Sequence, residues 1–187
     1  MSDLAVITGA TSGIGAEFAR QLAPLHKTLW LIGRREQKLN QLAEDLHAQY
    51  GIEAVVMIMD LSDRKVIEQL AEQLKQQSGL STLINNAGYS EDGDFHSIEW
   101  LKHSDIMNVH VEATLRLSYV ALKIMSENRQ GSIINVASVA SFIPTPNSPL
   151  YGPTKTFIRS LSESLAPVYK EKNVNIQALC PGFTITD

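Results

Sequence analysis

The sequence predicts an α/β domain built on a doubly wound, mostly parallel β-sheet. Three observations carry that prediction. Short β-rich runs alternate with longer segments of helical periodicity from one end of the chain to the other. The runs are apolar nearly throughout, as strands covered by helices on both faces must be. No linker, repeat or low-complexity tract interrupts the alternation, and at 187 residues and 44% hydrophobic the chain is long enough for one domain, 1–187, with a sizeable core.

The candidate strands, in order, are Leu4 to Thr8, Thr28 to Ile32, Glu53 to Met59, Thr82 to Asn85, Ser132 to Ala137 and Asn175 to Cys180. Leu39, Leu42, Ala43, Leu46 and Tyr50 form one helical stripe, and Val66, Ile67, Leu70 and Leu74 form another behind Ser62 as the expected N-cap. The stretch Thr114 to Met125 is apolar on more than one side. It is either deeply buried or set against a partner subunit. The last helical pattern opens at Tyr151 and continues through Phe157, Ile158, Leu161, Leu165 and Val168, with Pro153 in its first turn, where a missing N–H breaks no hydrogen bond.

Composition narrows the function. A net charge of −4, with no Lys/Arg block longer than a pair, gives no electrostatic footprint for nucleic acid. No apolar run approaches the roughly 18 residues of a membrane span, so no membrane association is expected. Cys180 is the only cysteine and reads as a buried thiol at a strand end; with no signal-peptide pattern before Leu4, the expected compartment is the cytoplasm. His26, His47, His96, His103 and His110 show no metal-ligand spacing, and no metal site is expected.

Between the first strand and the first helix lies TGATSGIG, Thr8 to Gly15, with glycines at Gly9, Gly13 and Gly15. Glycines there let the backbone bend tightly and approach a pyrophosphate, which is then held by free N–H groups at the positive end of the helix. The contacts fall to Gly9, Thr11, Ser12, Gly13, Ile14 and Gly15. About 20 residues on, a carboxylate holding a ribose 2′-hydroxyl would signal NAD. The second strand ends instead in Gly33-Arg34-Arg35, and a guanidinium binds a 2′-phosphate in a two-pronged, charge-assisted way. NADP(H) is therefore preferred. NAD(H) stays possible, because Arg34 and Arg35 would serve equally as a solvated helix start with Glu36 as the acid.

Tyr151 and Lys155 lie four apart in YGPTK, on one helix face, so the phenol and the ammonium can enter one cavity. A free phenol ionises near pH 10; an adjacent cation favours the phenolate and brings proton exchange toward neutral pH. Ser138 follows the fifth strand.

With TGATSGIG, Asp60-Leu61, NNAG (Asn85 to Gly88), Asn108, Ser138, YGPTK and Pro181-Gly182 in this order, the whole sequence resembles the short-chain dehydrogenase/reductase family, whose sheet is of the Rossmann type. The resemblance implies Tyr151 as general acid and base, Ser138 polarising a substrate carbonyl, Lys155 tuning Tyr151 and holding the nicotinamide ribose, and Asn108 anchoring a proton-relay water. It implies that Asp60 and Leu61 contact the adenine, that Asn86, Ala87 and Gly88 line the ribose region, and that Asn85 braces strands. Pro181, Gly182, Thr184 and Thr186 would meet the nicotinamide. Tyr89 and His96 read as loop residues that could border a substrate pocket. The implied activity is hydride transfer between NADP(H) and a small-molecule carbonyl or secondary alcohol, in a homodimer or homotetramer; the alternative is a non-catalytic NADP-sensing regulatory or scaffold protein. The family's chain continues past the Pro-Gly motif to a substrate-covering segment and a further strand, so the last strand is expected to be missing and PGFTITD to be an interrupted ending.

Overall fold

The computed structural model describes residues 4–11 and 13–182. Six strands, β1 (Leu4–Thr8), β2 (Thr28–Gly33), β3 (Glu53–Ile58), β4 (Leu80–Asn85), β5 (Gly131–Val136) and β6 (Val174–Leu179), form one sheet. Every adjacent pair is parallel, in the order β3-β2-β1-β4-β5-β6. The helices are α1 (Gly13–Leu22), α2 (Glu36–Tyr50), α3 (Arg64–Lys75), α4 (Trp100–Met107), α5 (Ala113–Asn128) and α6 (Tyr151–Lys170).

The central strands β1 and β2 are buried and apolar nearly throughout because both faces are roofed, whereas β6, at the sheet edge, exposes Asn175 and Gln177. In β1, Leu4 and Val6 join Ile67, Leu70 and Leu74 of α3 and Leu117, Ala121 and Met125 of α5. Ala5 and Ile7 point the other way, against Ala16 and Ala19 of α1 and Leu39, Leu42 and Leu46 of α2. Two alternating side-chain sets thus fill two cores, as the strand period of two requires. Strand order reverses between β1 and β4. In an open parallel sheet the crevice beyond the carboxyl ends at such a reversal is where ligands bind.

Several local expectations are corrected. Asp63, not Ser62, caps α3: its side chain accepts from the Lys65 N–H, while the Ser62 N–H is taken by Asp60 Oδ1 at 3.0 Å. A carboxylate one residue later reaches a free first-turn donor better placed than the hydroxyl does. Most of the apolar girdle of Thr114 to Met125 is buried within this fold, leaving Leu115 and Tyr119 exposed. On α6 the buried face is Gly152, Thr154, Lys155, Ile158 and Ser162, whereas Phe157 and Val168 of the expected stripe are exposed. Cys180 lies just beyond β6 and is only part-buried, with its Sγ 4.0 Å from Ser141 Oγ.

A buried polar ladder sets α5 and α6 against the middle of the sheet. Asn85 Nδ2 donates to Ser118 Oγ of α5 at 3.0 Å and to Asn135 Oδ1 at 2.8 Å, across the β4–β5 register that pairs the two asparagines. Asn135 Nδ2 donates to Ser162 Oγ of α6 at 2.9 Å, and that hydroxyl donates to the Ile158 carbonyl. Asn85 thus braces strands and helices together. No helix among the described residues is long and apolar enough to cross a membrane.

Candidate active site

Beyond the carboxyl ends of β1 and β4 the chain leaves a cavity of about 480 Å³, within the range that holds small-molecule ligands and cofactors. Its wall is assembled from the ends of all six strands: Gly9, Thr11, Gly13 and Ile14 after β1, Gly33, Arg34 and Arg35 at the end of β2, Asp60 and Leu61 after β3, and Asn86 to Ser90 after β4. Ala137 and Ser138 after β5, Tyr151 and Lys155 of α6, and Pro181 and Gly182 after β6 complete it.

The glycine turn is shaped by close approach. Gly9 has φ +67°, a conformation that glycine adopts without strain. A Cβ on Gly15 would stand 2.2 Å from the Gly9 carbonyl oxygen and 2.5 Å from Asn86 Nδ2. Asn86 Nδ2 donates to the carbonyls of Thr8 and Gly9, and the Thr8 hydroxyl accepts the N–H groups of Asn86 and Ala87. The NNAG loop is therefore latched onto the glycine turn, and Gly15 acts behind the cavity wall. Gly15→Ala is expected to push the turn off Asn86, lowering stability by about 1–3 kcal/mol as overpacking does. Urea denaturation checks the effect; a variant as stable as wild type would contradict the latch.

Next to the glycine turn the arginines divide. Arg35 Nη2 donates to Thr11 Oγ1 at 2.8 Å, reaching the glycine turn. Arg34 pairs with Asp60 at 3.7 Å and lies over the Tyr89 ring at 5.9 Å. Partial burial pushes the Asp60 carboxyl up, but its hydrogen bonds from Ser62 and the Arg34 charge outweigh that and hold it below its ordinary value. Glu36, the alternative acid, is the first residue of α2 and does not line the cavity.

Around Tyr151 the geometry is tighter. Lys155 Nζ donates to the Val136 carbonyl at 2.8 Å and stands 5.6 Å from the centre of the Tyr151 ring. Lys155 is only 4% exposed, and burial lowers the pKa of its ammonium from 10.5 to about 8. Ser138 has extended backbone and its Oγ accepts the Ala140 N–H at 3.1 Å, while the Val139 N–H reaches Pro181 O at 3.0 Å. That second bond ties the Ser138 loop to the Pro-Gly turn.

Asn108 stands off this wall. Its amide donates to the Ser62 carbonyl at 2.8 Å and its own carbonyl accepts from Ala113, inside a π-helical turn, Asn108–Glu112, that joins α4 to α5. Ser12, Thr184 and Thr186 lie outside the described residues. Tyr89 lines the cavity, whereas His96 is exposed and does not. Two contributors escaped the sequence reading as site residues. Thr8 is the opening residue of the turn motif, and that position was its available signal; His110, which packs beside Tyr151, carried none.

A family profile for short chain dehydrogenases matches residues 3–187. The chain belongs to that family. It is 32% identical over 186 residues to a very-long-chain 3-oxoacyl-CoA reductase of Anas platyrhynchos, covering 97% of this chain and 60% of that one. It is 31% identical to the inactive hydroxysteroid dehydrogenase-like protein 1 of Homo sapiens, covering 97% of this chain and 56% of the relative. The chain thus spans less than two thirds of the length of these relatives. Among solved structures, the short-chain dehydrogenase from Sphingobium yanoikuyae in complex with NADPH superposes with a TM-score of 0.93 at 29% identity, over 98% of this chain and 72% of that one. The dehydrogenase fold, an α/β sheet of six parallel strands flanked by helices, is therefore shared along this length.

Proposed function

We propose that the protein is an NADP-dependent oxidoreductase that interconverts a small-molecule carbonyl and a secondary alcohol. The observation that carries the reading is the convergence of Ser138, Tyr151 and Lys155 on the wall that also bears the glycine turn and the arginine pair. The residues present fit a dinucleotide. Gly9 and Gly13 line the cavity without side chains, which leaves main-chain N–H groups open to a pyrophosphate, and the two guanidinium groups of Arg34 and Arg35 line the same cavity. Gly9, Thr11, Ser12, Gly13, Ile14 and Gly15 are assigned the pyrophosphate, Arg34 and Arg35 the 2′-phosphate, Asp60 and Leu61 the adenine, and Asn86 to Gly88 the ribose. Pro181, Gly182, Thr184 and Thr186 are assigned the nicotinamide, which when bound supplies or takes up the hydride.

The protein's own part is charge and proton handling. Ser138 hydrogen-bonds the substrate oxygen and stabilises the charge that grows on it. Tyr151 Oη gives that oxygen a proton in reduction and takes it back in oxidation. The Lys155 ammonium favours the deprotonated phenol between these events and holds ribose hydroxyls. Asn108 supports a relay water through its carbonyl oxygen, whose second lone pair remains after Ala113 is bonded. Leu115 and Tyr119, exposed on α5, support a homodimer or homotetramer, and the single thiol and acidic balance support a cytoplasmic setting.

The test is turnover. The full-length chain should oxidise NADPH with at least one member of a panel of aliphatic, aromatic and 3-oxoacyl carbonyls. NADPH binding with no turnover across the panel would favour the second reading, a cofactor-sensing scaffold, which the name of the inactive human relative keeps in view. The presence of both Tyr151 and Lys155 weighs against it. For the cofactor, replacing Arg34 and Arg35 together by alanine should raise the Kd of NADPH roughly ten- to a hundredfold, the worth of a charge-assisted hydrogen bond or two. NADH binding should change little; equal losses for both cofactors would refute the 2′-phosphate assignment.

A further inference from the structure

We propose that His110 is a positioning residue of this site, a buried imidazole that fixes the loop after β4 against the first turn of α6 and so sets where Tyr151 and Lys155 stand in the cavity. The inference rests on the oxidoreductase reading for its catalytic consequence, but its geometry is independent of that reading.

His110 is fully buried within the π-helical turn. On one side the Tyr89 N–H reaches its Nε2 at 3.1 Å; on the other its Nδ1 lies 2.8 Å from Thr154 Oγ1, which is 2.9 Å from the Tyr151 carbonyl. These contacts dictate the tautomer. A main-chain N–H can only donate, so Nε2 must be the acceptor, and a neutral ring then carries its proton on Nδ1. Nδ1–H donates to Thr154, and the Thr154 hydroxyl spends its own proton on the Tyr151 carbonyl. Each N–H and O–H in the chain from Tyr89 through His110 and Thr154 to Tyr151 thus has an acceptor.

A charged imidazole does not fit here. A second N–H on Nε2 would confront the Tyr89 N–H, and the Lys155 ammonium is close by. Burial first, and then the Lys155 charge, pushes the His110 pKa from 6.5 down to about 3. With its only lone pair taken by Tyr89, the ring has nothing with which to accept a substrate proton. Its role is therefore placement rather than acid–base chemistry.

Packing shows how closely the parts are set. A Cβ on Gly88 would stand 2.9 Å from His110 Nε2 and 3.3 Å from Lys155 Nζ, so loop, ring and ammonium are near mutual contact. The Tyr151 ring meets the imidazole edge-on at 5.9 Å, and the Tyr89 ring does so at 6.2 Å. The π turn inserts the extra residue that brings His110 to this point; such insertions recur at functional sites.

The tautomer is tested on the intact wild-type protein by correlating the ring nitrogens with their protons between pH 5 and 9. The expected result is one neutral Nδ1–H imidazole across the whole range. A ring protonated on Nε2, or one that gains a proton near pH 6.5, would overturn the proposal whether or not the protein turns over a carbonyl. In the active full-length enzyme, His110→Leu should lower kcat roughly 10- to 100-fold, the size of effect a misplaced catalytic group produces, with the limbs of the pH profile unmoved. His110→Gln, which keeps a donor and an acceptor on one side chain, should recover most of that loss. Combining His110→Leu with Thr154→Val should cost little beyond the worse single variant, because both break one chain. A His110→Leu enzyme as active as wild type, or one that loses a limb of its pH profile, would refute placement. Absence of turnover in the wild type would refute the oxidoreductase reading, and the ring spectra would then decide the strut alone.

Discussion

Replacing Tyr151 by phenylalanine is expected to lower turnover by about 10²- to 10⁴-fold, the contribution of a positioned general acid–base, while NADPH affinity stays within about threefold of wild type. The expectation is sharp because the substitution removes one oxygen and leaves its setting intact. The first turn of α6 is held by main-chain and neighbouring groups: the Tyr151 N–H to Ser148 O at 3.0 Å, the Gly152 N–H to Thr145 Oγ1 at 3.1 Å, and Thr154 Oγ1 to Tyr151 O at 2.9 Å. None of these bonds involves the phenolic hydroxyl. The ring would keep its edge-on contact with His110 and its place 5.6 Å from Lys155 Nζ. An unchanged melting temperature together with collapsed turnover would therefore locate the loss in proton transfer. Turnover within tenfold of wild type would remove Tyr151 from the chemistry.

The strands were legible because they obey the simplest rule in the molecule. A strand covered on both faces must be apolar at nearly every position, and LAVIT and TLWLIG at the sheet centre meet that rule, while the edge strand VNIQAL departs from it with exposed Asn175 and Gln177. The glycine turn was legible for a related reason: only glycine permits the close approaches at residues 9 and 15, so the requirement is written in residue type.

What stayed hidden is polar burial. Beside Lys155, which YGPTK had placed, the inner face of α6 carries Thr154 and Ser162, which no hydrophobic stripe reveals, because their burial is balanced by partners distant in sequence: His110 for Thr154 and Asn135 for Ser162. His110 was hidden twice. A π-helical turn shifts it off the 3.6-residue period, and a search for metal-ligand spacing passes over a histidine buried as a neutral strut. Asn108 shows the converse: motif order placed it with the site, but its side chain points to Ser62 rather than into the cavity.

Lys155→Met should abolish detectable turnover and yet leave the fold at least as stable as wild type at pH 7. Burial lowers the lysine's pKa from 10.5 to about 8 in the folded state. Between these values the unfolded chain binds the proton and the folded chain does not, so this residue makes stability fall as pH drops from about 10.5 to about 8 and adds no further change below. At pH 7 the whole cost of burying the charge is present, about 3 kcal/mol for a shift of this size. Methionine is of similar length, carries no charge, and removes that cost. It also leaves the Val136 carbonyl without its 2.8 Å partner, which gives back about 1–3 kcal/mol. The two effects leave the variant between unchanged and about 2 kcal/mol more stable at pH 7. The sign reverses with pH: well above pH 10.5 the wild-type lysine is neutral in both states, and by pH 10 most of the burial cost is already gone, so the variant loses its advantage and keeps only the orphaned carbonyl. Urea denaturation of both proteins at pH 7 and pH 10 reads this difference directly. A variant markedly less stable than wild type at pH 7, or a gap between the two that does not narrow toward high pH, would show that the ammonium holds the fold together; the opposite pattern identifies a buried charge kept at the expense of stability for what it does in the cavity.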